Sequence, residues 1–435
     1  MFQKVRSIFL TNEIFQKSSV SLLLKIAGSL LGYVFLLLAT RNIGASSWGV
    51  FVLFLSVLNI SSIFSRLGVD ILTLKLVSAS SSIFDKIKSI YFSSVRLAVL
   101  ASLIISVILY FTSDFIALEL FHNKTLNYQI KLISYILPLF SIICINENVL
   151  RGLKMIKEFS FFQSTAKMLF SVVLFLLFFY GLGLNESEIV SQVFVYSIVI
   201  IFLLSTFLIF SIIKSGNFVR YINLKDMLSQ SIPMMMSSSV LLLMSWTDSL
   251  MIGSFIGEYE VGVYNVAVKV ALLTSFTLNA VNSISASKIS ESYNNNKMLE
   301  FKNIVNQTTK TIFYSTIPII VIIFSFPDFI LNFFGQDFII AKSALLILAF
   351  SQVINAMSGS VGVILNMTGK EKVFRNILGV ALLINISLNL LLIPKLGIEG
   401  AAIASASSLI FWNLYSVYYV YKHYGVSTLI SFTNE

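Results

Sequence analysis

Five ionisable side chains fall deep inside long apolar stretches: Lys25, Arg96, Lys167 and Lys269, with Asp248 the one clear carboxylate beside them. Charge in such a setting is expensive and marks a binding site, a pathway or a structural pair. Four cations to one anion match an anionic ligand such as a phosphate, which Lys and Arg meet with charge-assisted hydrogen bonds. Lys25, Arg96 and Lys167 each lie about seven residues inside one end of an apolar run, a depth of about 10 Å at the helical rise. Turned inward, the three form a cationic collar. Turned outward, side chains of that length reach the lipid headgroups instead.

Asp248 and Lys269 flank a short glycine-containing turn, so they sit at matching depths from the opposite face. Two readings follow. In one they form a structural ion pair between neighbouring helices. In the other Lys269 exchanges Asp248 for a substrate phosphate, and Asp248 is a candidate site for a coupling proton or sodium ion. Arg66 and Asp70 follow the second apolar run and Arg151 the fourth, where they fix topology and can also greet an entering headgroup.

Other chemistry has little to work with. Cys144 is the single cysteine, which rules out an intramolecular disulfide, and His122 and His423 are the two histidines. No thiol-rich or His-based metal site is expected. A phosphate-cradling loop is missing too: Gly369-Lys370 is followed by Glu371 rather than a hydroxyl residue, and Ile364 stands where the first glycine belongs. Beyond a coupling ion, no cofactor is expected.

The elements that must carry these side chains are membrane helices. The 435 residues are 57% hydrophobic and 11% charged, with a mean hydropathy of +0.90. A water-soluble domain carries about 25% charged residues, so this chain cannot cover a water-facing surface. Apolar runs predict about twelve spans, each near the 20 residues a bilayer requires. The first six are placed at 18–40, 48–65, 89–112, 130–150, 161–181 and 189–213. The second six are placed at 231–256, 261–287, 307–331, 341–366, 373–394 and 399–421. Pro138 and Pro318 fall inside spans and predict kinks. The first run, preceded by Lys4, Arg6 and Lys17, is long enough to be a retained helix rather than a cleaved signal.

Orientation follows from the 30 Lys and Arg residues. With the N-terminus in the cytoplasm, 21 fall on inside segments and 5 outside (Arg41, Lys124, Lys131, Lys342 and Lys395), the other 4 being the buried cations. That asymmetry places both termini in the cytoplasm. The net charge of +10 is thereby assigned to topology and to the anionic inner membrane surface, with no nucleic-acid partner.

A repeat divides the chain. Residues 42–51 read NIGASSWGVF and residues 255–264 read FIGEYEVGVY, aligned without gaps at an offset of 213, with Ile43/Ile256, Gly44/Gly257, Gly49/Gly262 and Val50/Val263 matched. Each copy bridges the first and second helices of a six-helix half. Six is even, so the halves, 1–215 and 216–435, enter the membrane from the same side as parallel repeats. Gly44 and Gly257 are expected to make turns. The fold class is therefore an all-α integral membrane protein of two six-helix bundles facing a central cavity, the architecture of a transporter.

WTDSLMIGSFIGEYEVGVYNVAVK (246–269) resembles the seventh-to-eighth-helix signature of the multidrug/oligosaccharidyl-lipid/polysaccharide (MOP) exporter superfamily. RNIGASSWGVFVLF (41–54) and SRLGVDILTLKLVS (65–78) are similar to its N-terminal half. LNMTGKEKVFRNI, NISLNLLLIPKLGIEGAAIAS and IFWNLYSVYYVYK resemble its polysaccharide branch. The resemblance covers essentially all twelve spans. It implies a flippase that carries undecaprenyl-pyrophosphate-linked oligosaccharide units across the bacterial inner membrane for O-antigen, lipopolysaccharide or capsule assembly. Membrane lipids, a polysaccharide polymerase and a chain-length regulator are the implied partners. Lipid II flippases usually have fourteen helices, two more than the count here.

Two rivals remain open. A cation-coupled multidrug exporter on the same fold would be expected to carry more buried carboxylates than cations. A membrane polysaccharide polymerase, an enzyme, would need a large outer loop with catalytic residues, and the longest outside segment, about 113–129, is short.

Overall fold

The computed structural model describes residues 13–80, 83–184, 188–214 and 223–430. Lys4, Arg6 and Arg220 of the charge count, and the expected boundary at 215/216, lie outside them. Each of the twelve expected spans falls on helix, and no strand occurs among the described residues. The helices are α1 (Glu13–Arg66), α2 (Val69–Ser78), α3 (Phe84–Phe115), α4 (Thr125–Gly152), α5 (Ile156–Gly181), α6 (Ile189–Ile213) and α7 (Leu224–Phe255). They continue with α8 (Glu258–Ala271), α9 (Ser275–Asn294), α10 (Met298–Ser325), α11 (Pro327–Asn332), α12 (Lys342–Ser358), α13 (Val361–Met367), α14 (Glu371–Leu396) and α15 (Ile398–Tyr424).

Among the described residues nine helices are long and apolar enough to cross a membrane, and ten if the two segments of α7, Leu224–Met236 and Ser239–Phe255, make one span. One of the nine runs from Val20 to Arg66, twice the length a single crossing needs. It is two spans. Gly44, at φ 87° and ψ −179°, turns the chain between them, a conformation that only glycine adopts cheaply. Its repeat partner Gly257 sits at φ 150° just before α8. Both expected turns are present.

The described residues pack as two compact units. One comprises Met1–Ile43 with Phe54–Ser239, and the other comprises Gly44–Leu53 with Val240–Glu435. The packing boundary thus lies within α7, and residues 44–51 of the first repeat decapeptide belong to the second unit by contact although sequence places them in the first half.

Within the first unit, α1 and α5 meet along small and hydroxyl residues. Ser21 Oγ lies 2.6 Å from Ser160 Oγ, and Thr165 Oγ1 donates to the Leu24 carbonyl at 2.7 Å. A Cβ on Gly28 would press on the backbone of Ser164, so glycine there permits the close approach. The α5 side of this seam, Phe161–Ala166, is wound as π-helix, as is Leu176–Gly181 at the far end of α5. After Leu67 and Gly68, both at positive φ, the chain turns into α2. Val69 and Leu72 of α2 bury against Leu97 of α3 and Met227 of α7. Pro138 lies inside α4.

The second unit has an apolar core built by Ile289, Phe301, Val305, Ile364, Leu365, Ile377, Val420 and Val426. Pro318 lies inside α10. The first-repeat segment crosses α8 at glycine: a Cβ on Gly49 would overlap the Glu258 carbonyl oxygen, and one on Gly262 would overlap the Ala45 carbonyl oxygen. Trp48 Nε1 donates to Asn265 Oδ1 at 3.2 Å beside this crossing.

Candidate functional site: a caged carboxylate and a buried charge quartet

In the second unit Asp248 is 6% exposed and draws donors from three helices. Asn385 and Asn389 stand four residues apart on α14, hence on one face, and their Nδ2 groups donate to Asp248 Oδ1 at 3.0 and 2.7 Å. Tyr264 of α8 donates its hydroxyl to Oδ2 at 2.8 Å, and Ser405 of α15 donates to the same oxygen. These four donors, two on each oxygen, are all neutral.

A buried carboxylate held by neutral groups leaves a full charge in a low-dielectric interior. A proton or a hard cation would complete it. The oxygens at hand suit one: Asp248, the Tyr264 and Ser405 hydroxyls, and the amide oxygens of Asn385 and Asn389, of which Asn389 Oδ1 has no hydrogen-bond partner. Lys269, two turns of α8 away from the cage residue Tyr264 at most, is not among the groups that hold Asp248, and it is exposed. The groups that hold Asp248 are thus the cage residues of α8, α14 and α15.

In the first unit two basic residues, Arg66 and Lys167, are answered by acids. Arg66 Nη1 donates to Asp70 Oδ2 at 2.8 Å across the turn from α1 to α2, and Arg66 Nε reaches the Ser62 carbonyl at 2.9 Å. Lys167 Nζ lies 3.0 Å from Glu147 Oε1, with 15% and 7% of the two side chains exposed. Lys167 also lies 5.3 Å from the centre of the Phe140 ring.

Lys25 and Arg96 are exposed while Lys167 is turned inward onto Glu147, so the three do not share one environment. Arg151 is also exposed, with its guanidinium 5.4 Å from the Phe159 ring centre. The surplus of buried cations read from sequence shrinks accordingly, because Glu147 was not counted as a carboxylate within a span. It lies within the run placed at 130–150, one turn before Arg151. Asn385, Asn389 and Ser405 were missed because isolated neutral polar residues barely disturb an apolar run.

Residues 14–286 match the family model described as polysaccharide biosynthesis protein, and residues 233–391 match the MatE model. Among curated proteins, the chain is 28% identical over 165 residues to a probable low-salt glycan biosynthesis flippase of Haloferax volcanii, covering 38% of this chain and 35% of the relative. It is 23% identical over 235 residues to a capsular polysaccharide biosynthesis protein of Staphylococcus aureus, covering 54% and 58%. The chain thus spans less than two thirds of the length of either relative. Among solved structures, an inward-facing multidrug resistance MATE family transporter of the MOP superfamily superposes with a TM-score of 0.74 at 16% identity, over 94% of this chain and 97% of that one. The lipid II flippase MurJ in an inward closed conformation gives 0.73 at 19% identity, over 93% and 87%. These two likenesses give the fold, an all-α membrane transporter fold. With the family model covering 14–286, the chain belongs to the polysaccharide biosynthesis protein family.

Proposed function

We propose that this protein is a flippase for lipid-linked oligosaccharides, driven by a cation or proton bound at Asp248. The family match over residues 14–286 carries the reading, and the names of the glycan and capsule relatives support it. The substrate class we assign is an undecaprenyl-pyrophosphate-linked repeat unit, moved from the inner to the outer leaflet of the cytoplasmic membrane. The protein acts as a transporter and not an enzyme, with both termini in the cytoplasm, and it hands its product to a polysaccharide polymerase and chain-length regulator.

An oligosaccharide headgroup cannot enter hydrocarbon, because each unpaired hydroxyl costs about 1–3 kcal/mol even on protein scales. The polyprenyl tail has no such difficulty and stays in lipid while the headgroup passes through the protein by alternating access. Moving a phosphate out of a negative interior gains about 2.3 kcal/mol per charge per 100 mV. Binding of a cation at Asp248 removes the uncompensated charge in that cage, which supplies a state-dependent term that transport can exploit.

The test is deletion and complementation. Loss of the gene is expected to remove surface polysaccharide and leave lipid-linked repeat units on the inner leaflet, both restored by the wild-type chain but not by Asp248→Ala. Normal polysaccharide after deletion would overturn the reading. A second reading, cation-coupled export of small cationic compounds, is favoured by the neutral balance of the first-unit quartet and by the MATE likeness of the fold. It predicts dye sensitivity on deletion with polysaccharide intact.

A further inference from the structure

Glu147 is a buried carboxylate that the transport cycle outlined above does not use. It is 5% exposed and lies three residues beyond Cys144 on α4. Arg66 is within electrostatic reach of Cys144 and Glu147 as well as Asp70, and Lys167 within reach of Glu147, Cys144 and Arg66. The four charged groups form one cluster, with two cations, two anions and no net charge.

A pyrophosphate diester with about two negative charges therefore meets a neutral site, and every cation it recruits must be taken from a carboxylate. We propose that Glu147 is the built-in competitor of the substrate phosphate for Lys167, a positioning residue that holds the lysine in the empty protein and keeps phosphate affinity low enough for release. This deepens the flippase reading and rests on its anionic headgroup. Lys167 is retained from two sides, by the carboxylate at 3.0 Å and by the Phe140 ring at 5.3 Å, so its ammonium is held in place before a ligand arrives. Its side chain keeps 15% exposure, as does that of Arg66, so neither is sealed from a ligand. An ion pair serving stability alone could be replaced as a whole by apolar residues of like volume at little cost. A carrier must bind and then let go, and an internal counter-ion supplies the second property.

The full-length protein is placed in nanodiscs with increasing undecaprenyl pyrophosphate, and its protection against thermal unfolding is measured. Protection is expected in the wild type. In Glu147→Gln the half-protecting concentration should fall about tenfold, the factor that corresponds to about 1.4 kcal/mol. Glu147→Asp should behave as wild type and Lys167→Gln should need a higher concentration. The exchange Glu147→Lys with Lys167→Glu keeps the pair neutral and should return the wild-type value, which guards against a single variant that fails to fold.

A merely structural glutamate would give unchanged or weaker protection in Glu147→Gln, and that result overturns the proposal. Equal protection in Lys167→Gln overturns it as well, and so does protection in no variant, which would put the phosphate elsewhere. The surface-polysaccharide assay on the wild-type gene decides the flippase reading separately.

Discussion

Gly49 and Gly262 face each other with no room for a side chain on either: each occupies the space beside the carbonyl that stands four residues before the other, Glu258 for Gly49 and Ala45 for Gly262. These are the same two glycines that align in the repeated decapeptide. Replacing Gly262 with Ala should therefore drive a Cβ into backbone and destabilise the second unit by about 1–3 kcal/mol. Gly379, with open space at its Cβ, is the control, and its Ala variant should be neutral or stabilised by about 0.5–1 kcal/mol. Thermal unfolding in one detergent compares the two; equal midpoints would refute the crossing.

Asp248→Asn preserves the shape of the cage while removing its charge. The variant should reach the membrane in normal amount and lose transport, together with any dependence of transport on sodium or pH. Retained ion dependence of glycan translocation would take the coupling role away from this carboxylate.

Lys167→Ala strands Glu147 in a buried site. Breaking such a pair from one side typically costs about 3–5 kcal/mol. Yield from the membrane and unfolding temperature should both fall, and Lys167→Ala combined with Glu147→Leu should recover most of the loss. Failure of the double variant to recover would mean that Lys167 stabilises through something other than this ion pair.

The orientation has its own check. Cysteines introduced at Lys75 and Lys342 in a Cys144→Ser background should be labelled by a membrane-impermeant thiol reagent from opposite sides, Lys342 from outside in intact cells. Labelling of position 75 from outside would invert the topology.

Much of the fold was legible because a bilayer enforces it. Backbone groups in hydrocarbon must bond within the segment, so a run of apolar residues leaves little choice but helix, and all twelve runs are helical. Gly44 and Gly257 were legible as turns because the repeat puts them at matching joints. The site was only half legible. Asp248 stands out in its run, but its partners are settled by which helix faces which. The pattern offered Lys269 at equal depth, whereas the fold supplied Tyr264, Asn385, Asn389 and Ser405. Glu147 failed for a related reason. Nothing in the run 130–150 names a partner for this acid, and the inward turn of Lys167 from α5 supplies one.

The reciprocity of the glycine crossing bears on how such a chain could arise. Each copy offers its own small residue to the backbone of the other, with the same spacing on both sides. That is the form of an isologous dimer contact. A half-length ancestor bearing one copy of the decapeptide would already have carried the surface needed to pair with itself, and gene fusion would then have joined partners that fitted beforehand.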